Sequence, residues 1–535
     1  MGSERSTATY NDYKKDFSAL KSRDEQRSYG SELTLTADEK KLDSLMDAIR
    51  DTLIGDKYVY AKREEAAAEE PRSYPPIRPF YEVRGEIEAN PLLDTFRRMP
   101  KGANLHIHTS ATLKAEDFIS LLHDHDNRYW SPGRQGAHYV AVKTGDAADG
   151  VLPYTPVILS RSSVPTGYTR LKDLSEIEEK TFLSMLTMSD DRIGGVKYIW
   201  DEFNNIFSRV KYVMKVRTLY QPYYTTAFKK MIDDNISQVE LRFGAGVLRD
   251  DNEEDFTALS AGGDEYHYED YPDSKNESVT EMYAAYKEAK TYAAEQGKTF
   301  TLKLILSASR KKTTTEPPLD SVRADLDLID ECNSNIKIYA PDDEPFIVGY
   351  DLVSEEDRGW NTDDIAQALF TKDGNTRGIP FFFHDGESCW ANDDNLFSAI
   401  SLNTTRIGHG INMYHFPDLV EEVKNRNMTI EVCPISNQIL RYTQDLRTHP
   451  IAEYMKRGID CVICNDDPQI FNYNGLAYDF WEIYFSQLID LAGIKKLVFN
   501  SIDKSMLCDA KKKEQREALE QQWAAFVAEE IRRLQ

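Results

Sequence analysis

The chain has 535 residues, of which 41% are apolar, which is enough for a substantial core. Acidic residues outnumber basic ones by 90 to 65, and the resulting net charge of −25 repels nucleic acid and anionic membranes. Since no run approaches the roughly 18–20 consecutive apolar residues that cross a bilayer, we expect neither nucleic acid nor a membrane among its partners.

The first 98 residues are predicted to form an N-terminal arm and a helical region. Residues 1–30 are polar, and we expect a frayed segment or an arm. Thr36 and Glu39 have the spacing of a capping box, and the apolar residues that follow recur at helical spacing from Leu42 to Leu53. Prolines from Pro71 onward end this region. We expect it to dock on the main domain or on a second subunit.

Short β-branched runs then alternate with helix-like stretches. The candidate strands are 104–108, 237–243, 299–308, 347–353, 379–384, 405–409, 428–433 and 460–465. The clearest helical spacers are 363–370, 393–402, 417–425 and 451–457. Eight such units predict an α/β fold, a (β/α)8 TIM barrel with an N-terminal helical extension and an insertion after the first strand.

The predicted domain boundaries follow from the long segment between the first and second predicted strands. More than a hundred residues separate the first two strands, and Gly, Pro and β-branched runs there predict a small β-rich insertion. We expect the first barrel unit at 99–124, the inserted subdomain at 125–180, the rest of the barrel at 181–510 and a C-terminal helix at 511–535.

The cysteines indicate a reducing environment. All six lie in the second half of the chain, and the first residues lack the apolar segment of a secretory signal. We expect a cytoplasmic protein, or a secreted one if the sequence is trimmed at its N-terminus. Cys461 and Cys464 match C-x-x-C, the spacing of a redox pair or half a zinc knuckle. They lie in an apolar run without a second such pair, and we interpret them as buried strand cysteines.

Histidines and carboxylates gather at the ends of the predicted strands. His106 and His108 are two residues apart on a strand, so their imidazoles share one face and can hold the same divalent ion. In barrels the carboxyl ends of the strands meet at one rim. The residues that arrive there from other strands are His384, Glu387, His409, Asp466 and Asp467. This convergence predicts a metal site.

The ligand types indicate the metal and its use. Nitrogen ligands with a carboxylate suit zinc, whereas an all-oxygen shell favours magnesium or calcium. Bound zinc lowers the pKa of water toward about 7, and His409 and Glu387 are candidates for the proton transfers that C–N hydrolysis requires. Taken singly, His384 or His409 reads as a buried structural histidine, and Asp466 with Asp467 as the turn that starts a helix.

Several longer motifs together resemble one family. They are Met99-Pro100-Lys101-Gly102, Leu105-His106-Ile107-His108, Gly349-Tyr350-Asp351-Leu352, His384-Asp385-Gly386-Glu387, Leu402 to Gly410, Glu431 to Asn437, and Asp466-Asp467-Pro468. Over residues 90–505 the chain resembles the adenosine deaminase family of metal-dependent hydrolases, most closely its growth-factor, or type 2, branch. That branch implies one Zn²⁺ per chain and a homodimer, and it associates the N-terminal helices and the insertion with dimerisation and partner binding.

The resemblance also implies a role for each matching residue. The zinc ligands would be His106, His108, His384 and Asp466. His409 would position and deprotonate the attacking water, and Glu387, its pKa raised by an apolar pocket, would protonate purine N1. Asp467 would hydrogen-bond N7 and the Gly386 amide would meet N3.

Two positions depart from the family pattern. Thr109 stands where an aspartate that touches the sugar is usual, and Asp385 stands where a small residue is usual. Neither removes a zinc ligand, so these departures bear on the identity of the substrate. Trp200 is a candidate for the wall around the purine or ribose, with a plain core or surface aromatic as the alternative.

The leading hypothesis is hydrolytic deamination of adenosine or 2′-deoxyadenosine to inosine or 2′-deoxyinosine, a step of purine metabolism. One alternative keeps the chemistry but takes AMP or an N6-substituted adenosine, because a neutral Thr109 repels a 5′-phosphate less than a carboxylate. A second is a binding or signalling protein that retains the barrel. The cytidine-type zinc deaminases are excluded, because Asp460 stands where their P-C-x-x-C motif requires a proline and the barrel periodicity does not suit their small fold.

Overall fold

The computed structural model contains eleven strands within the residues that it describes. It describes residues 9–54, 74–130, 158–160, 168–188, 198–210, 213–248, 277–334, 344–389, 394–487 and 489–535. The strands are β1 Gly102–His108, β2 Arg128–Trp130, β3 Ile158–Ser160, β4 Thr169–Arg170, β5 Ile236–Phe243, β6 Thr301–Ser309, β7 Ile347–Val353, β8 His384–Asp385, β9 Arg406–His409, β10 Thr429–Val432 and β11 Asp460–Ile463.

Eight of these strands form a closed parallel ring. Hydrogen-bonded neighbours follow the orders β1-β5-β6-β7 and β8-β9-β10-β11. The two halves join where Tyr350 of β7 pairs with Phe381, just before β8, and where Ile107 of β1 pairs with Asp466, just after β11. The predicted (β/α)8 barrel is therefore confirmed, and the carboxyl ends of its strands share one rim.

Helices alternate with the barrel strands and extend the chain at both ends. The α-helices are Tyr10–Glu25, Ala37–Leu53, Phe80–Glu88, Pro91–Arg98, Ala115–His123, Glu176–Met185, Ile199–Val210, Arg217–Asp233, Glu277–Glu295, Leu319–Ser334, Thr362–Ala366, Asp394–Ser401, Pro417–Asn425, Pro434–Ile439, Ile451–Arg457, Ala477–Gln487, Leu491–Asp503 and Asp509–Leu534. Short 3-10 turns occur at Pro75–Ile77, Leu171–Asp173, Val213–Lys215, Gln367–Leu369, Ile411–His415 and Leu446–Thr448. Across the described residues, every helix is too short or too polar to span a membrane.

The four spacers that were predicted to be helical are confirmed. Pro417–Asn425 and Ile451–Arg457 match residue for residue, and the spacer at 393–402 contains Asp394–Ser401. The spacer at 363–370 is split into a short α-helix and a 3-10 turn. Gly458 ends its helix in the left-handed conformation, which costs glycine little.

The predicted capping box is present and ties the N-terminal region to the same chain. Thr36 Oγ1 accepts a hydrogen bond from the Glu39 amide at 3.2 Å, and Glu39 accepts one from the Thr36 amide at 2.7 Å. The other Glu39 oxygen accepts from Lys495 at 2.6 Å and from the Trp523 indole at 2.8 Å. The helix Ala37–Leu53 therefore docks on the C-terminal helices.

The segment before it differs from the frayed segment that its polarity suggested. Tyr10–Glu25 is a helix, started by a second capping box between Thr9 and Asp12. Every residue of this helix is exposed to solvent. Local capping therefore forms the helix, and the alternative of a projecting arm agrees with its exposure.

The insertion and the C-terminus contain the predicted types of element. Strands β2, β3 and β4 form a separate antiparallel sheet inside the range 125–180, part of which lies outside the described residues. Asp509–Leu534 is a single helix in which Leu519, Trp523 and Ile531 are buried, and it packs against the helices Ala37–Leu53 and Leu491–Asp503. The exact domain boundaries stay predictions.

The C-x-x-C residues are buried in the barrel. Cys461 lies within β11 and Cys464 directly follows it, and both are free thiols with no exposed surface. This agrees with the interpretation as buried strand cysteines.

Candidate active site

Strand β1 delivers two imidazoles to the rim of the barrel. His106 and His108 lie on one face of the strand, and their ring centroids are 5.3 Å apart. His384 begins β8 on the other side of the ring, and Asp466 follows β11 with a backbone φ of 57°. A positive φ is unusual for a residue other than glycine and is often found at functional sites.

The side chains of these four residues converge on one point. Asp466 Oδ1 lies 3.3 Å from His106 Nε2 and 3.1 Å from His108 Nε2, and the Nε2 atoms of His108 and His384 are 3.1 Å apart. One ligand atom from each residue lies within 4.8 Å of all the others. Bonds of about 2.0–2.1 Å to a tetrahedral ion place ligand atoms roughly 3.3 Å apart. His106 Nε2 is buried without a hydrogen-bond partner in the described structure. Three nitrogens and one carboxylate thus fit a divalent metal ion.

Buried carboxylates hold two of the imidazoles in place. Glu431 of β10 lies 2.8 Å from His106 Nδ1, and Asp351 of β7 lies 2.8 Å from His384 Nδ1. The first contact is a hydrogen bond, which places the ring proton of His106 on Nδ1 and leaves its Nε2 bare toward the centre of the cluster. Ser436 donates a hydrogen bond to Asp466 Oδ2 at 2.6 Å, which orients the fourth group.

An ion network beneath the site keeps Glu431 charged. Burial alone would raise its pKa, but the adjacent guanidiniums of Arg242 and Arg406 hold that pKa well below its usual range. Arg406 also pairs with Glu240 at 2.6 Å, while Arg242 pairs with Asp351 at 3.1 Å. Glu240 and Arg242, two residues apart in β5, are therefore both buried, and each has its ion-pair partners on other strands.

Glu387 is a buried carboxyl beside the metal cluster. It is only 3% exposed, and its Oε1 lies 3.6 Å from His409 Nδ1. Burial, together with the nearby charges of Asp466 and Glu356, raises its pKa well above the usual value. A protonated carboxyl in this position can donate a proton to a ring nitrogen of a ligand.

The Gly386 amide, which was predicted to meet purine N3, has a protein partner in this structure. Its amide donates to Glu356 at 3.1 Å, and the next amide, of Glu387, donates to the same carboxylate at 2.7 Å. Gly386 adopts φ +85°, which turns the chain around Glu356. Because the N–H is engaged there, it does not face the cavity where a purine N3 was expected.

A chain of hydrogen bonds fixes the tautomer of His409. The Ile451 amide donates to His449 Nδ1 at 3.1 Å, so the proton of this neutral imidazole lies on Nε2. His449 Nε2 faces Asn437 Oδ1 at 3.1 Å, and Asn437 Nδ2 faces His409 Nδ1 at 3.0 Å. His409 Nδ1 therefore accepts, and the proton lies on Nε2.

This tautomer refines the role predicted for His409. Its Nε2 is buried without a partner in the described structure and carries the N–H. Burial lowers the pKa of His409 well below the usual value, so the ring is neutral. In this state His409 can hold an attacking oxygen by donating a hydrogen bond, and it cannot act as the proton acceptor through Nε2.

Asp467 presents a second buried carboxyl. Its Oδ1 has no partner in the described structure, and burial together with the charge of Asp466 raises its pKa well above the usual value. A protonated Asp467 can donate a hydrogen bond to an acceptor nitrogen. This is the property that a contact with purine N7 requires.

A cavity of about 370 Å³ joins these groups. Its lining includes His108, His384, His409, Glu387, Asp466, Asp467, Trp200 and Thr109. Trp200 lies on the helix Ile199–Val210 and donates from Nε1 to the Tyr442 hydroxyl at 2.8 Å, so its ring is fixed as a wall of the cavity. The volume falls in the range of about 300–1,000 Å³ that small-molecule sites occupy.

Asp385 points away from this cavity. Its carboxylate accepts hydrogen bonds from Arg310 at 3.0 Å and from the Thr362 hydroxyl at 2.8 Å. Burial raises its pKa to about 8, although Arg310 opposes this. The departure at Asp385 therefore supports the loop behind His384 and does not contact a ligand, whereas the departure at Thr109 lies in the cavity lining.

Comparisons with known proteins agree with this site. The sequence model of adenosine deaminase matches residues 329–522. Adenosine deaminase 2 of Dictyostelium discoideum is 31% identical over 417 residues, which cover 76% of this chain and 69% of that protein.

The chain belongs to the adenosine deaminase family.

A second relative of this family spans nearly the whole chain. Adenosine deaminase 2 of Sus scrofa is 26% identical over 540 residues, covering 96% of this chain and 95% of that protein. The resemblance to the type 2 branch that the motifs indicated is thereby confirmed. The similarity includes the N-terminal helices and the region of the insertion.

Solved structures of similar fold are more distant in sequence. The N6-methyl-AMP deaminase of Arabidopsis thaliana has a TM-score of 0.52 and 13% identity, covering 80% of this chain and 98% of that one. The adenine deaminase of Arthrobacter aurescens has a TM-score of 0.52 and 17% identity, covering 79% and 98%. At this identity they support the barrel fold alone.

Sequence reasoning missed the groups that support the site. Glu431 and Asp351 lay inside the quoted motifs, but their contacts to His106 and His384 depend on which strands become neighbours. One signal was available: Glu431 is a charged residue between the apolar Ile430 and Val432 of a short strand, which calls for a buried partner. Asn437 and His449 gave no comparable signal.

Proposed function

We propose that this protein is a zinc-dependent adenosine deaminase, which converts adenosine or 2′-deoxyadenosine and water to inosine or 2′-deoxyinosine and ammonia. The observation that carries the proposal is one cavity lined by His108, His384 and Asp466 of the four-residue metal cluster and by Glu387, His409 and Asp467. The names of the relatives support the reaction, and the type of ligand supports zinc, one ion per chain.

The metal would be held by His106, His108, His384 and Asp466. A zinc ion there would polarise a water molecule and bring its pKa toward about 7. The hydrogen bond to Glu431 keeps His106 in the tautomer that binds a cation, and the Asp351 carboxylate lies 2.8 Å from His384 Nδ1.

The remaining groups orient the purine and move protons. The Glu387 carboxyl donates its proton to N1, which makes C6 electrophilic, and Asp467 donates a hydrogen bond to N7. His409 holds the attacking oxygen through its Nε2–H. The oxygen adds to C6 and the 6-amino group leaves as ammonia. The protons balance: the product keeps on N1 the proton from Glu387, one water proton restores the Glu387 carboxyl, and the other leaves with ammonia.

The test is turnover of adenosine and 2′-deoxyadenosine by the zinc-loaded full chain, followed by ammonia release. Glu387→Gln keeps the size of the side chain and removes its acid, so kcat/KM should fall by about 10²–10⁴ while bound zinc is retained. Glu520→Gln makes the same change on an exposed helix surface and should leave turnover unaltered. Absence of ammonia release from both nucleosides, or full activity of Glu387→Gln, would contradict the proposal.

We further infer a homodimer. The fully exposed helix Tyr10–Glu25 supports this, because the side chains of Tyr10, Tyr13, Phe17 and Leu20 follow one face of it and are more than half exposed. Apolar stripes of this kind commonly mark contact surfaces.

A further inference from the structure

A side pocket of about 150 Å³ opens beside Thr109. It shares Thr109, Asn204, Phe207, Lys215, Gly244 and Lys311 with the main cavity. The two spaces are therefore continuous, and a ligand in the main cavity can extend into the side pocket. Thr109 directly follows His108, so the side pocket begins one residue from the metal cluster.

The lining of the side pocket carries positive charge and hydroxyl groups. Lys215 and Lys311 supply two ammonium groups, and five further lining residues are Ser, Thr or Tyr. Among the described residues that line it, none is acidic. A phosphate group accepts hydrogen bonds through all its free oxygens and carries negative charge, so ammonium and hydroxyl donors are its natural partners.

The acidic residues of the combined cavity lie outside the side pocket, in a part of the lining that also includes Arg242 and Arg310. The carboxyl groups of Glu387, Asp466 and Asp467 lie at the metal end, where a purine ring would react. The two lysines and Thr109 line the side pocket. A carboxylate at position 109 would place a negative charge in that lining, whereas the threonine hydroxyl is neutral and can donate a hydrogen bond.

The reaction at C6 determines how a nucleotide would be oriented in the combined cavity. If C6 of the purine lies at the metal cluster, the ribose and its 5′ substituent must extend away from it. Trp200 lines only the main cavity, where a flat aromatic ring suits a base or a sugar. The side pocket is then the place for the group at the 5′ end.

We propose that the side pocket binds a 5′-phosphate, and that the substrates of this site include 6-aminopurine nucleoside 5′-monophosphates. The inference rests on the proposed function for the reaction at C6, and it adds the class of substrate. Lys215 and Lys311 are the residues that would contact the phosphate.

The first experiment measures product binding without turnover. Calorimetric titration of the zinc-loaded full chain with IMP and with inosine should give a dissociation constant for IMP at least tenfold lower. Lys311→Ala should reduce this ratio by about tenfold. Lys312→Ala removes the same charge from the adjacent residue. Lys312 is exposed, its ammonium lies over the Trp360 ring, and it does not line the side pocket. This variant should leave the ratio within twofold of the wild-type value.

The outcomes separate this inference from the proposed function. Equal affinity for IMP and inosine would overturn the phosphate site, as would an equal effect of Lys311→Ala and Lys312→Ala. In parallel kinetics, turnover of adenosine without turnover of AMP would overturn the assignment of nucleotides as substrates while leaving the deaminase proposal intact. Tighter binding of IMP with no turnover of either compound would support the phosphate site and contradict the proposed reaction.

Discussion

At the residue scale, the contacts that fix the tautomer of His409 are open to a direct test. Asn437→Asp keeps the shape of the side chain but replaces the donor that faces His409 Nδ1 with an acceptor. The imidazole would then carry its proton on Nδ1 and, when charged, would be stabilised by the new carboxylate. We expect kcat to fall by at least about tenfold, and the acid limb of the pH–rate profile to move to higher pH.

The control for this substitution is Asn425→Asp, which adds the same charge on an exposed helix end. Its pH–rate profile should match that of the wild type. Zinc content of both variants should be measured first, because loss of the metal would lower kcat without moving the profile. A kcat for Asn437→Asp within twofold of the wild type would show that the tautomer of His409 is not set by Asn437.

Residues of the site differ in how far the sequence predicted them. His106 and His108 were predictable because a two-residue repeat on a strand leaves only one possible face. Glu387, His409 and Asp466 were predictable because the ends of parallel strands share a rim. Asn437 and His449 were not, because their contacts depend on the rotamers and ring positions of three side chains packed together. The engagement of the Gly386 amide by Glu356 depended likewise on a loop conformation that no periodicity encodes.

At the element scale, the helix Ala477–Gln487 contains a carboxyl group that should make stability depend on pH. Glu482 is fully buried, and within the described residues neither of its oxygens has a hydrogen-bond partner. Burial raises its pKa from 4.5 to about 8. The folded protein therefore keeps this proton between about pH 4.5 and 8, where the unfolded chain releases it, so stability is greatest below this window and falls as pH rises through it.

Glu482→Gln should remove this loss. Between pH 5 and pH 8, the free energy of unfolding of the variant should rise by on the order of 3 kcal/mol relative to that of the wild type. Thermal melting at pH 5, 6.5 and 8 would show the two midpoints diverging as pH rises. Glu517→Gln, on an exposed helix face, should show no such divergence. A constant difference across the three pH values would mean that Glu482 is ionised in the folded protein.

The helix Tyr10–Glu25 carries the prediction about assembly. The apolar side chains at positions 10, 13, 17 and 20 have the three- and four-residue spacing of one helix face. We expect the wild type to have twice the 61.4 kDa chain mass by light scattering after size exclusion. Tyr13→Glu combined with Phe17→Glu should give the mass of one chain.

Lys15→Glu is the matched control for this pair of substitutions, because it makes the same change of net charge on the opposite side of the helix. It should leave the dimer mass unchanged. A dimer that survives the double substitution would place the contact between subunits elsewhere on the molecule.

The positions of the barrel strands in the sequence were more predictable than the lengths of those strands. All eight predicted positions contain strand pairing, because apolar β-branched runs of this length between helical spacers have few alternatives in this pattern. The fifth differs most: 379–384 was expected to be continuous, but the named strand is only His384–Asp385. Pro380 lacks an N–H and joins the ladder only through its carbonyl, which accepts from Tyr350 at 3.0 Å.

At the scale of the whole molecule, the metal site spans the seam where the barrel closes. β1 carries His106 and His108, Asp466 follows β11, and the two strands meet through the pairing of Ile107 with Asp466. His384 comes from β8, on the other half of the ring. A bound ion would therefore link both halves, and it would neutralise the negative charge that Asp466 brings into a buried cluster.

Metal removal should consequently destabilise the entire barrel. Free zinc at about a thousand times its dissociation constant contributes roughly 4 kcal/mol to the folded state. We expect chelation to lower the thermal midpoint by several degrees and to abolish deamination, and stoichiometric zinc to restore both. Magnesium, which prefers an all-oxygen shell, should restore neither. Elemental analysis should confirm that the metal is gone. If the thermal midpoint of this metal-free protein is unchanged, Glu431, Asp351 and Ser436 hold the four ligands in place without help from the ion.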